Sequence, residues 1–175
     1  MRFLSTPLAG AWIIEPERRQ DERGFFARTF CVNEFKAHGL NSNISQCNTS
    51  YNLHEGTLRG MHYQWPKPEA KLVRCTRGAI FDVIIDLRKE SATYKSYFGI
   101  ELSAENGKTL YVPEGFAHGF LTLEKNTEVF YQMSEFYFPE NSLGVRYNDP
   151  VFGIGWPKEI KLLSEKDRDL ADFPS

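Results

Sequence analysis

Apolar and polar positions alternate with a period of two along much of this chain, most clearly over residues 79–87. There Phe81, Val83, Ile85 and Leu87 fall on one side and Ile80, Asp82, Ile84 and Asp86 on the other, as in an extended strand whose side chains point to opposite faces in turn. Arg77-Gly78 just before this run predicts a tight hairpin from a preceding strand over residues 70–75. Further strands are predicted at residues 12–15, 24–30, 44–48, 58–63, 97–102, 109–112, 119–123 and 127–133. About ten short strands with Gly, Pro and Asn at their junctions describe an all-β sandwich, jelly roll or barrel.

Helical pattern is sparse. Residues 33–37 make a turn or two with Asn33 as the cap, and Ser164 precedes a short helical run with Asp167 three residues on, a capping-box-like arrangement. Neither a repeat nor a low-complexity linker interrupts the chain, so residues 1–175 are expected to form one domain.

Composition narrows the function. With 41% hydrophobic and 25% charged residues the chain is an ordinary globular sequence, and a net charge of −2 argues against a broad nucleic-acid surface. No apolar run is long enough to span a bilayer, and the first residues lack a signal-peptide core, so no membrane partner and a cytoplasmic location are expected. Cys31, Cys47 and Cys75 have neither disulfide-framework nor metal-knuckle spacing and read as buried small residues in a reducing compartment.

Of four histidines, two lie in notable surroundings: His62 in Leu58-Arg59-Gly60-Met61-His62-Tyr63-Gln64, and His118 in Pro113-Glu114-Gly115-Phe116-Ala117-His118-Gly119-Phe120. Histidine serves both as general base and as metal ligand, so proton chemistry and metal chemistry compete here. Gln64 is a poor ligand beside imidazole and carboxylate, and Lys71, two residues beyond Glu69, would repel a dication. No catalytic metal is therefore expected. Taken alone, Tyr131 reads as core, Asp167 as a helix first-turn acid, Lys71 as a solvated strand-edge charge, and Asp82 as a buried partner of a basic residue. His38 and His54 read as surface residues.

The spacing of Gly107, Pro113, Gly115 and His118, with Thr122 in place of a final Asn, resembles the second motif of the cupin superfamily. Gly56, His62, Gln64 and Glu69 meet its first motif in part. The resemblance implies a cupin-type double-stranded β-helix, a jelly roll with a few short helices.

Nearly the whole chain also resembles the nucleotide-sugar 3,5-epimerases typified by dTDP-4-dehydrorhamnose 3,5-epimerase. The matching segments are Asp21 to Phe26, Leu58 to Gln64, Lys71 to Arg74, Phe81 to Val83, Leu102 to Asn106, Pro113 to Phe120, Asn148 to Pro150, Gly153 to Pro157 and Leu163 to Asp167. The resemblance implies a homodimer acting on a nucleoside-diphosphate 4-keto-6-deoxyhexose without a cofactor. It assigns His62 as base, Asp167 as its carboxylate partner, Tyr131 as acid and Lys71 as the cation for an enolate. It places Arg23, Arg59 and Lys166 around the nucleotide, with Gln46 and Asn48 as polar contacts and His118 at the sugar end.

Two positions depart from the family's pattern. Arg28 and Ser142 stand where it usually has Glu, near the nucleotide or the dimer interface, which implies altered nucleotide preference. Rival readings are a 3-epimerase or a sugar ketoisomerase on the same fold, and a non-catalytic sugar-binding cupin.

Overall fold

The computed structural model describes residues 1–174; Ser175, the last residue of the expected domain, lies outside the described residues. Two antiparallel sheets carry the architecture. The first has the order β1 (Arg2–Ser5), β2 (Trp12–Glu15), β10 (Thr109–Val112), β7 (Lys71–Arg77), β12 (Thr127–Met133), β5 (Gln46–Asn52). The second runs β13 (Ser142–Gly144), β6 (Thr57–Gln64), β11 (Phe116–Thr122), β8 (Ala79–Asp86), β9 (Tyr97–Ser103), with the short β14 (Leu162–Leu163) lying parallel to the start of β6. A separate hairpin pairs β3 (Arg19–Asp21) with β4 (Gly24–Phe26), and two short helices, α1 (Val32–Ala37) and α2 (Glu165–Arg168), complete the elements used below.

Period-two alternation sorts the side chains into an inner layer and two outer ones. Val73, Cys75, Leu110, Val112 and Val129 from the first sheet meet Ile80, Ile84, Leu102, Phe116 and Phe120 from the second in one buried cluster. Behind the first sheet, Ile14, Leu72 and Tyr111 pack on Phe35 of α1. Behind the second, Met61, Val83, Ile85 and Ala117 pack on Val145 and Phe152 of the returning C-terminal chain. The predicted division of residues 79–87 therefore holds, with one difference from a simple sandwich strand: both faces are covered.

Several local expectations give way to tertiary structure. Residues 70–75 and 79–87 do form strands, but not a hairpin. Both edges of β7 are taken by β10 and β12, so the chain at Gly78 crosses to the other sheet. Gly78 has φ +73, and a Cβ there would stand 2.4 Å from a side-chain atom of Thr127, which marks a crowded corner rather than an open turn. The predicted strand at residues 24–30 stops at Phe26, and β5 starts two residues later and extends further than expected. Helix α1 begins two residues earlier than the predicted cap implies, with Cys31 rather than Asn33 at the N-cap. Ser164 behaves as predicted, its hydroxyl accepting from the Asp167 backbone N–H. Of the cysteines only Cys75 is buried, its thiol pushed up to about 11 by desolvation; Cys31 is half-buried and Cys47 exposed.

Candidate active site

A cavity of about 340 Å³ opens between the two sheets. Several inward positions near one end of the strands carry polar side chains, in contrast to the mostly apolar inner layer beyond them. On β7, Lys71 shares its face with Val73 and Cys75, and on β12, Tyr131 and Met133 share theirs with Val129. Opposite them stand His62 and Gln64 of β6 and His118 of β11, the two histidines being paired directly across the ladder. At this point the backbones of β6 and β11 approach unusually closely: a Cβ on Gly60 would lie 2.5 Å from the Cα of Gly119. Glycine at that position, with φ +126, lets β6 pass.

The cavity is closed on one side by α2. Asp167, only 4% exposed, accepts a hydrogen bond from His62 Nε2 at 2.6 Å, and its other oxygen accepts from the Gly60 backbone N–H at 3.4 Å. An ionised carboxylate can only accept, so this contact places the imidazole proton on Nε2 and leaves Nδ1 as the basic nitrogen. Burial works to raise the Asp167 carboxyl, but the hydrogen bond and charge of His62, together with the Gly60 and Ser164 contacts, outweigh it and hold the group below its usual range. His118 repeats the arrangement deeper in the barrel, with Nε2 donating to the fully buried Asp82 Oδ1 at 2.7 Å. The expectation of a buried basic partner for Asp82 is thus met.

Lys71 corrects the reading of a solvated edge charge. It lies on a central strand, 8% exposed, with Nζ 2.7 Å from Glu69 Oε1. Tyr131 is half-buried, packs against the inner core and also lines the cavity. Desolvation raises its phenol, more than the nearby Arg59 lowers it, so the hydroxyl keeps its proton well past neutrality.

Toward solvent the lining becomes cationic, with Arg59 and Lys166 exposed at the mouth. Arg59 is steadied by its Nε donating to Asn52 Oδ1 at 2.7 Å. Asn48 is register partner of Tyr131, and Gln46 of Met133, so both face the same side and extend the polar wall beyond the cavity proper. Gln46 is held further by accepting from the Tyr137 N–H at 2.8 Å.

Of the residues assigned to the site from sequence, Gln46 and Asn48 lie just beyond the lining and Arg23 is remote from it. Arg23 sits exposed on the β3–β4 hairpin, bound to Asp21 beside it. Arg28 is also remote from the lining residues and pairs with Glu34 at 2.8 Å, so its charge does not act on the cavity within one chain. Ser142, by contrast, lines it. Sequence reasoning missed Asn52, Tyr137 and the role of Glu69; the alternation of β5, placing Asn52 in step with Gln46 and Asn48, was an available signal for the first.

Gln64 is a structural clamp. Its amide N–H groups donate to the Lys67 and Phe136 carbonyls at 3.3 and 3.0 Å, and its oxygen accepts from the Phe138 N–H at 2.7 Å. Among the described residues no group of three or more metal-ligating side chains converges.

An all-β jelly roll with a histidine–carboxylate pair, a buried lysine and a tyrosine around one cavity defines a cupin-type isomerase. A family model described as dTDP-4-dehydrorhamnose 3,5-epimerase matches residues 5–175. The dTDP-4-dehydrorhamnose 3,5-epimerase of Methanothermobacter thermautotrophicus is 48% identical over 171 residues, covering 96% of this chain and 92% of its own. The crystal structure of the enzyme of that name from Bacillus anthracis, with TDP and PPi bound, superposes with a TM-score of 0.95 at 41% identity, covering 98% of this chain and 99% of its own. A dTDP-4-dehydrorhamnose 3-epimerase from Streptomyces niveus is 37% identical, covering 97% of this chain and 82% of its own. The chain belongs to the dTDP-4-dehydrorhamnose 3,5-epimerase family.

Proposed function

We propose that this cavity epimerises carbons 3 and 5 of a dTDP-4-keto-6-deoxyhexose of the dTDP-4-dehydro-6-deoxyglucose type, giving the dTDP-4-dehydrorhamnose type. The observation that carries the reading is the placement of His62, paired with Asp167 of α2, on one sheet and Tyr131 on the other, with Lys71 lining the same space. The ketone at carbon 4 acidifies the protons on both neighbouring carbons. His62 Nδ1 takes one of them, and Asp167 stabilises the imidazolium that forms. The electron pair moves onto the ketone oxygen, where Lys71 stabilises a charge that exists only in the enolate and the flanking transition states. Tyr131 delivers a proton to the opposite face, and solvent exchange restores both side chains. Substrate and product are isomers, so the reaction needs no net oxidant or reductant.

Arg59 and Lys166 suit the diphosphate, since guanidinium and ammonium groups complement its oxygens, and Gln46 and Asn48 continue as polar contacts to the nucleoside. His118 faces the sugar end. The chain acts as one epimerase domain and works as a homodimer. The β3–β4 hairpin supports this reading: it exposes Phe25 and Phe26 at 58% and 71% beside Arg23, and apolar rings in a protruding hairpin gain from a partner surface. Arg23 then serves the partner's cavity.

Proton NMR of dTDP-4-keto-6-deoxyglucose with the protein in deuterium oxide tests the reaction. Exchange and inversion are expected at both carbons. Exchange at carbon 3 alone would assign the 3-epimerase reading, and exchange at neither would remove the enzymatic one.

A further inference from the structure

Glu69 has no place in the proton transfers above, yet it lines the cavity and its side chain is only 4% exposed. One carboxylate oxygen, Oε1, lies 2.7 Å from Lys71 Nζ; the other, Oε2, is buried with no hydrogen-bond partner. Such an arrangement is poorly suited to stabilising a fold. A buried ion pair barely offsets its desolvation, and an oxygen without a partner adds a further penalty. Apolar residues of similar size would hold these positions at least as well. The pair therefore points to what it does for Lys71.

We propose that Glu69 is a positioning residue that fixes the Lys71 ammonium where the enolate oxygen develops. A lysine stem has four rotatable carbons and places its charge poorly unless something holds it. Here the anchor lies two residues back along the chain, at the entrance to β7, on the side of the strand from which Lys71 enters the cavity. The ionisable groups around the pair are His62, Tyr63 and Arg59 from β6, His118 from β11, Tyr131 from β12, Tyr137 from the following loop, and Lys166 and Asp167 from α2. Among these, none is hydrogen-bonded or ion-paired to Lys71. Glu69 is its ion-pair partner at 2.7 Å, so placement of the charge falls to that carboxylate.

The inference rests on the epimerase reading, and a double-mutant cycle on the full-length protein separates the two. Glu69→Gln keeps an oxygen that can accept from Lys71 but removes the negative charge. It is expected to lower kcat roughly tenfold to a hundredfold with KM changed less than about twofold, because the enolate charge is absent from the bound ground state. Deuterium exchange at carbons 3 and 5 should fall in parallel, since both enolates share one oxygen. Lys71→Ala should cost more, on the order of a hundredfold. In Lys71→Ala the further change Glu69→Gln should then cost less than about twofold, because the residue it acts through has gone. Thermal melting midpoints and dTDP affinity, measured for every variant, report fold and nucleotide site. The dTDP affinity is expected to stay near wild type throughout, while Lys71→Ala, which leaves the buried Glu69 charge unpaired, should melt lower and be partly restored by the added Glu69→Gln. A Glu69→Gln loss that persists in full in the Lys71→Ala background would overturn the proposal, as would a rise in KM with kcat unchanged. If wild type itself exchanges neither carbon, the epimerase reading fails and takes this one with it; an active wild type with additive losses overturns this proposal alone.

Discussion

His62 and Asp167 meet at 2.6 Å although 105 residues separate them in the chain. One belongs to the long central strand β6 and the other to a helix of four residues near the C-terminus, held in place by the Ser164 cap and by β14 alongside the start of β6. His62, the proposed base, is thus oriented by the C-terminal segment that returns over the barrel.

Replacing either member of the pair separates base from orienting group. His62→Asn should abolish deuterium exchange at both carbons, a loss of about 10²–10⁴-fold or more. Asp167→Asn keeps the shape but lets the amide donate, which favours the wrong imidazole tautomer, and it should lower kcat by a similar factor with dTDP binding retained. Near wild-type exchange in His62→Asn, with a native melting profile, would remove the assignment.

Tyr131→Phe removes the proposed acid but leaves the proposed base and enolate site. Exchange is expected to persist while net inversion falls, most clearly at carbon 5. Because burial raises the Tyr131 phenol above its ordinary value of 10.0, any loss of inversion caused by its ionisation should begin only above about pH 10. Equal slowing of exchange and inversion would instead make Tyr131 a packing residue.

Gln64 uses both ends of its amide to clamp residues 67, 136 and 138, and the buried Lys71 brings a positive charge to the cavity. Epimerase activity should therefore survive exhaustive chelation. Loss of activity restored by one transition metal would return His62, Glu69 and His118 to the role of ligands.

Gly60 tests the close passage of β6 over β11. A methyl group there would meet the Gly119 Cα at 2.5 Å and the His118 carbonyl oxygen at 2.9 Å, both backbone atoms, at a φ of +126. Gly60→Ala should destabilise the fold by at least about 2–3 kcal/mol and displace His62, two residues on. Urea titration checks the first effect and the exchange assay the second.

Asp86 anchors a network outside the cavity. Burial alone would raise its carboxyl, but hydrogen bonds from Arg88, Ser91 and Thr93 bring it down to about 2 from 3.8. A depressed folded value means stability that is present above the unfolded value and lost as pH falls through the folded one, here between about pH 4 and pH 2. Asp86→Asn should cost about 2 kcal/mol at neutral pH and flatten the acid limb of the melting-temperature profile across that window.

Much of the fold was legible before the structure. The period-two run at residues 79–87 identified both faces of β8, and residues 109–112 and 127–133 match β10 and β12 as predicted. Pairing was less legible. Arg77-Gly78 has the local chemistry of a hairpin, yet β7 and β8 belong to different sheets, because partners are chosen by which edges are already occupied and not by the turn between two strands.

The same division holds at the site. The family resemblance, not residue type alone, named His62, Asp167, Tyr131 and Lys71 as a group, and the structure brings all four to one cavity. What sequence alone could not decide was burial and partnership: whether Lys71 faces water or Glu69, whether Gln64 points at a metal or at backbone carbonyls, and whether Arg23 and Arg28 reach the cavity of their own chain. Local pattern fixes which side of a strand a residue takes. Only the packing of one sheet against the other, and of the C-terminal segment over both, determines what lies opposite it, because those contacts join positions far apart in the chain.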